Sequence, residues 1–328
     1  MEWVPTSRNS YNMRLHRISG LPWLRLIQIL CTLGLALVLW HSINWGLFAA
    51  SLAGLHWGWL CLAALLLLIA HGFNVVRWQL LILPDRVNFA SILSYYGAGI
   101  FSNNFLPTGI GGDGVRAALI SRHTPMWRAI WSVAADRVIG LVGLVSIGVL
   151  GLWFGLPPFV ADLARSLSTG WLVGITILGL VAVASLAVLW RLVPAVRAHT
   201  ITAAQRLLPA SEIWLRIMPI CYLLSIASVL CLVLAHSCVL LALDLHISTG
   251  AAIWVVVIGS LSLLVPISVN GLGVMESVYV LVLSYYRVSA PDALIVALSI
   301  RVLMILFSLL GGLISLGQSW FVGMAAGR

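Results

Sequence analysis

The sequence predicts an all-α polytopic membrane protein with six full spans plus two re-entrant or broken helix pairs (or eight spans), built as an inverted repeat. Three observations predict it. The 328 residues are 62% hydrophobic and 8% charged, with a mean hydropathy of +1.09, whereas a soluble domain carries roughly 25% charged residues. Six apolar runs are each long enough to cross a hydrocarbon core of about 30 Å as a helix. Two further apolar segments are interrupted by Pro and Gly, and they resemble each other at an offset of 159 residues. So few charges cannot make a water-facing surface, which excludes an ordinary soluble enzyme, a nucleic-acid-binding protein and a disordered chain.

The elements follow in order. Residues 1–22 are expected to form a cytoplasmic tail carrying Arg8, Arg14 and Arg17, without a convincing signal-peptide cleavage site. A single transmembrane domain is expected over 23–320, its repeat halves covering about 23–160 and 165–320. The long apolar runs occupy 24–44, 57–83, 128–153, 171–190, 214–243 and 292–317. Tryptophans mark many of their ends (Trp23 and Trp40, Trp57 and Trp78, Trp127 and Trp153, Trp171 and Trp190), as in an interfacial aromatic belt. One interrupted segment runs from 89 to 106 and breaks at Pro107. The other runs from 251 to 265, breaks at Pro266 and is followed by a short apolar piece at 277–286.

Arginine supplies every basic residue and sets the orientation. Arg8, Arg14, Arg17 and Arg25 flank the first run. Arg77, Arg86, Arg116, Arg122 and Arg128 fall between the second and third, and Arg191, Arg197, Arg206 and Arg216 between the fourth and fifth. All lie on one side if six runs cross and the broken segments re-enter, leaving only Arg165 and Arg287 opposite. By the positive-inside rule that side is the cytoplasm. Both termini are then cytoplasmic, in a cell (inner) membrane. The five cysteines lie within apolar runs and form no C-x-x-C, so they read as small buried hydrophobes.

The breaks carry the chemistry. The first reads Asn103-Asn104-Phe105-Leu106-Pro107-Thr108-Gly109-Ile110-Gly111-Gly112-Asp113-Gly114-Val115-Arg116, the second Pro266-Ile267-Ser268-Val269-Asn270-Gly271-Leu272-Gly273-Val274-Met275-Glu276. Paired Gly/Pro interruptions in two halves point to a transporter's binding site. Glycines here are expected to open backbone conformations closed to other residues. The freed N–H groups and the following helix N-terminus would make an anion site, with Arg116 one turn away. Asp113 can pair with that arginine, accept from backbone amides or titrate. A plain connecting loop with a capped helix is the alternative. The literal match to G-x-G-x-x-G at 109–114 lacks the strand a dinucleotide fold needs.

Asp136, Arg137 and Arg301 are charges inside spans, which mark a site or pair internally. Asp136 and Arg137 project about 100° apart on a helix, so Asp136 can meet another arginine while Arg137 faces a cavity. Arg301 is expected to contact Glu276 or a substrate phosphate, with snorkelling to the interface as the alternative. His71, Asn74 and Arg77 line one side of the second run, and Tyr95 and Tyr96 stand either near a headgroup or in the aromatic belt. His236, Asp244 and His246 are not spaced as a metal site, and no catalytic or nucleotide-binding motif is present. No metal or cofactor is therefore expected.

The first signature, followed by Asp136-Arg137 in the next run, resembles the transmembrane region of the lysylphosphatidylglycerol synthase family. The second signature and Arg77-Trp78 are similar to that family's pattern, and the resemblance spans about residues 20 to 320. It implies a lipid-handling membrane domain, associated in full-length synthases with flipping an aminoacylated phospholipid, here without the synthase domain. Stand-alone members include proteins linked to glycolipid or hopanoid pathways. Matching motif positions are Arg77, Asn103, Asn104, Pro107, Gly111, Gly112, Asp113, Arg116, Asp136, Arg137, Gly271, Gly273, Glu276 and Arg301, and Asn270 joins them as a candidate substrate contact.

The leading expectation is a non-enzymatic, flippase-like transporter moving a phosphate-bearing phospho- or glycolipid between leaflets, with Arg116, Arg137 and Arg301 neutralising phosphate. Two alternatives stand beside it. One is a membrane-embedded polyprenyl- or lipid-phosphate transferase using Asp113 and Glu276. The other is a non-catalytic partner of a lipid-synthesis enzyme. The expected partner is the anionic lipid, with no nucleic acid; Gly311-Gly312 leaves a homodimer open.

Overall fold

A computed structural model describes residues 53–83, 85–104, 111–155, 211–264 and 271–326, with isolated positions between them. The N-terminal tail, the spans expected at 24–44 and 171–190, Pro107, Pro266 and Asn270 lie outside the described residues.

The described residues form eight α-helices and no strand. They are α1 (Trp57–Ile82), α2 (Phe89–Asn103), α3 (Gly111–Ile120), α4 (Met126–Gly151, continued by a 3-10 turn to Phe154), α5 (Ser211–Ala242), α6 (Thr249–Ser262), α7 (Val274–Ser284) and α8 (Ala290–Ala326). Four stretches are long and apolar enough to cross a membrane: Trp57–Ile82, Met126–Phe154, Arg216–Ala242 and Ala290–Gly317. They match four of the six expected spans. The other helices are short: 15 residues in α2, 10 in α3, 14 in α6 and 11 in α7. At about 1.5 Å per residue none exceeds about 23 Å, less than the hydrocarbon thickness of about 30 Å.

Local chemistry sets the helix ends. The Asn88 side chain accepts from the Ala90 N–H at 3.2 Å to start α2, and Ser248 accepts from the Ala251 N–H at 3.2 Å to start α6. Helices α5 and α7 close alike. Asp244 (φ 55°) and Arg287 (φ 60°) are left-handed, and the next residues, Leu245 and Val288, donate back to the Leu240 and Leu283 carbonyls. This closure satisfies carbonyls that the last turn leaves open.

Helices α1 and α5 run antiparallel. Cys221 lies against the Arg77 carbonyl, the Ser228 hydroxyl donates to the Ala70 carbonyl at 3.2 Å, and the His56 N–H donates to the Ala242 carbonyl at 2.9 Å. Helix α1 is also antiparallel to α4, with Arg77 on Asp136 and Leu67 in one apolar cluster with Leu144 and Ile147. The packing relations recur in two sets. Helix α2 packs on α3 as α6 does on α7, α3 on α4 as α7 on α8, and α2 on α8 as α6 on α4.

Small residues let these helices approach. A Cβ on Gly97 of α2 would sit 2.6 Å from the Gly311 carbonyl oxygen of α8, and one on Gly312 2.7 Å from the Phe101 ring. Gly311 and Gly312 thus pack inside the chain. On the α4–α6 side, a Cβ on Gly151 would meet Ile253 at 2.8 Å. Lipid attracts apolar side chains as well as protein does, so close backbone approach and dispersion hold such bundles together. The exposed residues of α1, α4, α5 and α8 are mostly Leu, Ile and Val, as a lipid-facing surface requires.

Candidate functional site

Helices α1, α2, α3 and α4 converge on a row of five alternating charges. Arg77 Nε donates to Asp136 Oδ1 at 2.8 Å, and Arg116 Nη2 donates to Asp136 Oδ2 at 3.0 Å. Arg116 Nη1 lies 3.6 Å from Asp113 Oδ1. Arg137 then grips Asp113 with both branches of its guanidinium, Nε to Oδ2 at 2.7 Å and Nη2 to Oδ1 at 2.9 Å. Arg77, Arg116 and Asp136 are buried, whereas the Arg137 side chain is 54% exposed and that of Asp113 14%. The row holds three guanidiniums and two carboxylates, an excess of one positive charge inside a lipid-facing bundle.

Helix rotation explains the arrangement. Asp136 points into the bundle and collects arginines from α1 and α3, while Arg137, turned about 100° away, reaches the open side of α3. Asp136 thus meets other arginines, as the sequence suggests, while Arg137 pairs with Asp113.

Aromatic rings complete the environment of Arg116. Its guanidinium carbon stands 4.2 Å from the Trp78 ring centroid and 4.9 Å from that of Tyr96. Desolvated cation–π contacts of this kind contribute about 2 kcal/mol each. Arg116 Nε is buried without a hydrogen-bond partner, so the rings stabilise the side that no oxygen reaches. The Trp78 N–H donates to Ser132 at 3.3 Å and Tyr96 bonds His71 Nδ1 at 3.2 Å. Fully buried Trp78 therefore does not belong to the interfacial belt, because a cation on its face and a hydroxyl at its edge satisfy it inside. Trp57 and Trp153 are exposed at 71% and 92%, as a belt position would require. Tyr95, the neighbour of Tyr96, turns outward to His123 at 3.0 Å.

The three described glycines of the first signature act differently from the expectation. Gly111, Gly112 and Gly114 are helical, and none has a positive φ. Gly112 is needed for space: a Cβ there would overlap the Gly99 carbonyl and the Asn103 side chain. Gly114 faces open space. The Gly112 N–H donates to Asn103 Oδ1 at 2.8 Å, and Asp113 occupies the first turn of α3, where a carboxylate complements the helix dipole. The amide expected for an anion thus has an internal acceptor. Asn104 bonds the Ser308 hydroxyl, tying the end of α2 to α8.

The second signature builds a separate network. Gly271 (φ 68°) and Gly273 (φ 80°) do take left-handed backbone, as expected of glycines at a break. The Gly273 N–H donates to Glu276 Oε2 at 2.8 Å. Arg301 binds Glu276 through Nε to Oε1 and Nη2 to Oε2, and also donates to the Gly271 carbonyl at 3.0 Å. The expected Glu276–Arg301 partnership is therefore present, one charge of each sign. Among the described residues no ion pair joins this network to the first. Arg301 accordingly stands apart from Arg116 and Arg137.

Sequence reading missed the pairing of His236 with Tyr279, 2.5 Å apart beside the second network. Its only signal was a histidine within an apolar run. No group of three or more metal-ligating side chains occurs among the described residues.

Fold and charge pattern define a multi-pass membrane protein in which the described charges within helices Trp57–Ile82, Gly111–Ile120, Met126–Gly151, Val274–Ser284 and Ala290–Gly317 include ion pairs within the bundle. The match to the lysylphosphatidylglycerol synthase TM region over residues 25–312 shows that the chain belongs to that family. No curated protein and no solved structure matches it.

Proposed function

We propose that this protein is a flippase-like transporter of the cytoplasmic membrane, moving a lipid with an anionic phosphate headgroup between leaflets. The observation that carries the reading is the uncompensated guanidinium in the Arg77–Asp136–Arg116–Asp113–Arg137 row. Buried charge is costly in a bilayer and marks a pathway more often than a brace. An excess arginine at the exposed end of a rigid row is suited to bidentate capture of a phosphate. Asp113, shared by Arg116 and Arg137, holds them in place between substrates. Arg301, in the second network, receives the phosphate later on the path.

The topology supports this reading. Helices α1 and α4 are antiparallel, so α2 and α3 leave and return on one side, and both are too short to cross. We read them as a re-entrant pair, and α6–α7 as its counterpart. The antiparallel α1 and α5, together with the duplicated packing relations, support two inverted halves, the architecture that places transport sites at the repeat interface. The arginine distribution places both termini in the cytoplasm. We assign no catalytic role to Asp113 or Glu276, since each is engaged in ion pairing.

The test is lipid translocation in proteoliposomes, comparing fluorescent anionic, zwitterionic and aminoacylated lipids. Wild-type protein is expected to move a phosphate-bearing lipid, and Arg137→Gln to slow it about tenfold, the loss of one charge-assisted contact worth about 1.4 kcal/mol. Unchanged translocation in Arg116→Ala, Arg137→Ala and Arg301→Ala alike would refute the mechanism.

A further inference from the structure

The two networks differ in charge, and that difference has a consequence for coupling. The first holds an excess guanidinium and accepts a phosphodiester anion without further change. The second, Glu276 with Arg301, is neutral. A phosphate arriving at Arg301 would leave a negative charge uncompensated among buried apolar side chains, an arrangement the bilayer interior penalises heavily. Neutrality there requires one more positive charge.

The side chain placed to supply it is His236. It is 2% exposed, on α5, and both ring nitrogens are engaged. Nδ1 lies 2.7 Å from the Leu232 carbonyl, an acceptor only, so Nδ1 carries the hydrogen. Nε2 therefore offers its lone pair to the Tyr279 hydroxyl, 2.5 Å away. Tyr279 is on α7 one turn after Glu276, which places its side chain on the face that carries the carboxylate. Its ring is held by α6: a Cβ on Gly259 would lie 2.6 Å from the ring. Tyr279 of α7 reaches His236 through this hydrogen bond, and the charges of Arg301 on α8 and Glu276 on α7 act on the Tyr279 hydroxyl. Among the described residues no hydrogen bond or ion pair reaches His236 from α1, α4 or α6. His71, on α1, bonds Tyr96 beside the positive row, where a second proton would add to an existing excess.

We propose that phosphate–lipid passage through the second network carries one proton, bound at Nε2 of His236. The inference rests on the transporter reading. On protonation Nε2–H forms and donates to the Tyr279 oxygen, whose own hydrogen turns away from the imidazole. Only that N–H bond forms, and only it breaks on release. The imidazolium then balances the phosphate held by Arg301 while Glu276 remains ionised. Proton plus monoanionic lipid makes the step electroneutral.

The experiment uses the full chain in phosphatidylcholine vesicles with a trapped pH dye, fluorescent phosphatidylglycerol being added to the outer leaflet. Expected are about one proton entering per lipid translocated, acceleration by an acid-outside pH gradient, and no response to a potassium–valinomycin potential. His236→Gln and Gly259→Leu, the latter displacing Tyr279, are expected to lower proton entry at least tenfold in protein whose melting temperature is retained. Wild-type protein alone decides the matter if the variants do not fold. Lipid movement without proton entry, or movement driven by the potential, overturns the coupling and leaves the transporter standing. No movement of any lipid overturns both.

Discussion

The side chain whose loss the fold tolerates least is Asp136. It is the shared acceptor of Arg77 and Arg116, all three buried. Asp136→Asn leaves Arg77 without its carboxylate and Arg116 with only the 3.6 Å contact to Asp113. Removing one partner of a buried ion pair costs about 3–5 kcal/mol, so the variant is expected to lose most of its thermal stability in detergent, read by fluorescence-detected size exclusion after heating. Arg137→Gln removes a side chain whose head lies outside the packed interior, and is expected to melt close to wild type. Equal melting of the two variants would show that the Asp136 ion pairs do not stabilise the bundle. Much of this was legible in the sequence, because a charge inside an apolar run must find a partner. Which partner was less legible. Apart from Asp113 and Arg116, the paired residues of the row are 20 to 59 positions apart, and the pairing depends on helix rotation that one-dimensional spacing does not specify.

At the scale of the element, two glycines of similar sequence context are expected to behave in opposite ways. Gly97 touches the Gly311 backbone across the α2–α8 contact, so Gly97→Leu must push the helices apart. Overpacking of this kind costs about 1–3 kcal/mol. Gly114 is helical with open space around its missing Cβ. Gly114→Ala is expected to be neutral or to stabilise by up to about 1 kcal/mol through helix propensity. Melting curves of both variants check the pair, and a destabilised Gly114→Ala would restore the reading of that glycine as a backbone requirement. Composition placed the breaks correctly where Pro and Gly cluster, whereas the single Pro219 is carried inside α5. It did not reveal that Gly112 of α3 serves close approach rather than an unusual dihedral, because the Gly99 carbonyl and Asn103 side chain that it accommodates belong to a different helix.

For the whole molecule, the antiparallel pairs α1–α4 and α1–α5 imply a sidedness that labelling can read. Cysteines introduced at Arg86 and Arg122, before and after the α2–α3 pair, are expected to react with a membrane-impermeant maleimide from one face. Cysteines at His246 and Arg287, flanking α6–α7, are expected to react from the other. Arg86 and Arg122 labelling from opposite faces would mean that one member of the pair crosses completely, and the inverted-half reading would fail with it.

By itself the sequence determined the solvent of this protein, the positions of its described spans and breaks, and its family. These follow from composition and local pattern: an apolar run of sufficient length becomes a helix in lipid whatever surrounds it. The tertiary structure decided which carboxylate holds which arginine. It also turned Trp78 from a belt residue into a wall of the Arg116 site, and divided the charges into one positive and one neutral network. Each of those outcomes is a relation between helices distant in sequence, fixed by rotation and close packing rather than by the character of any single segment.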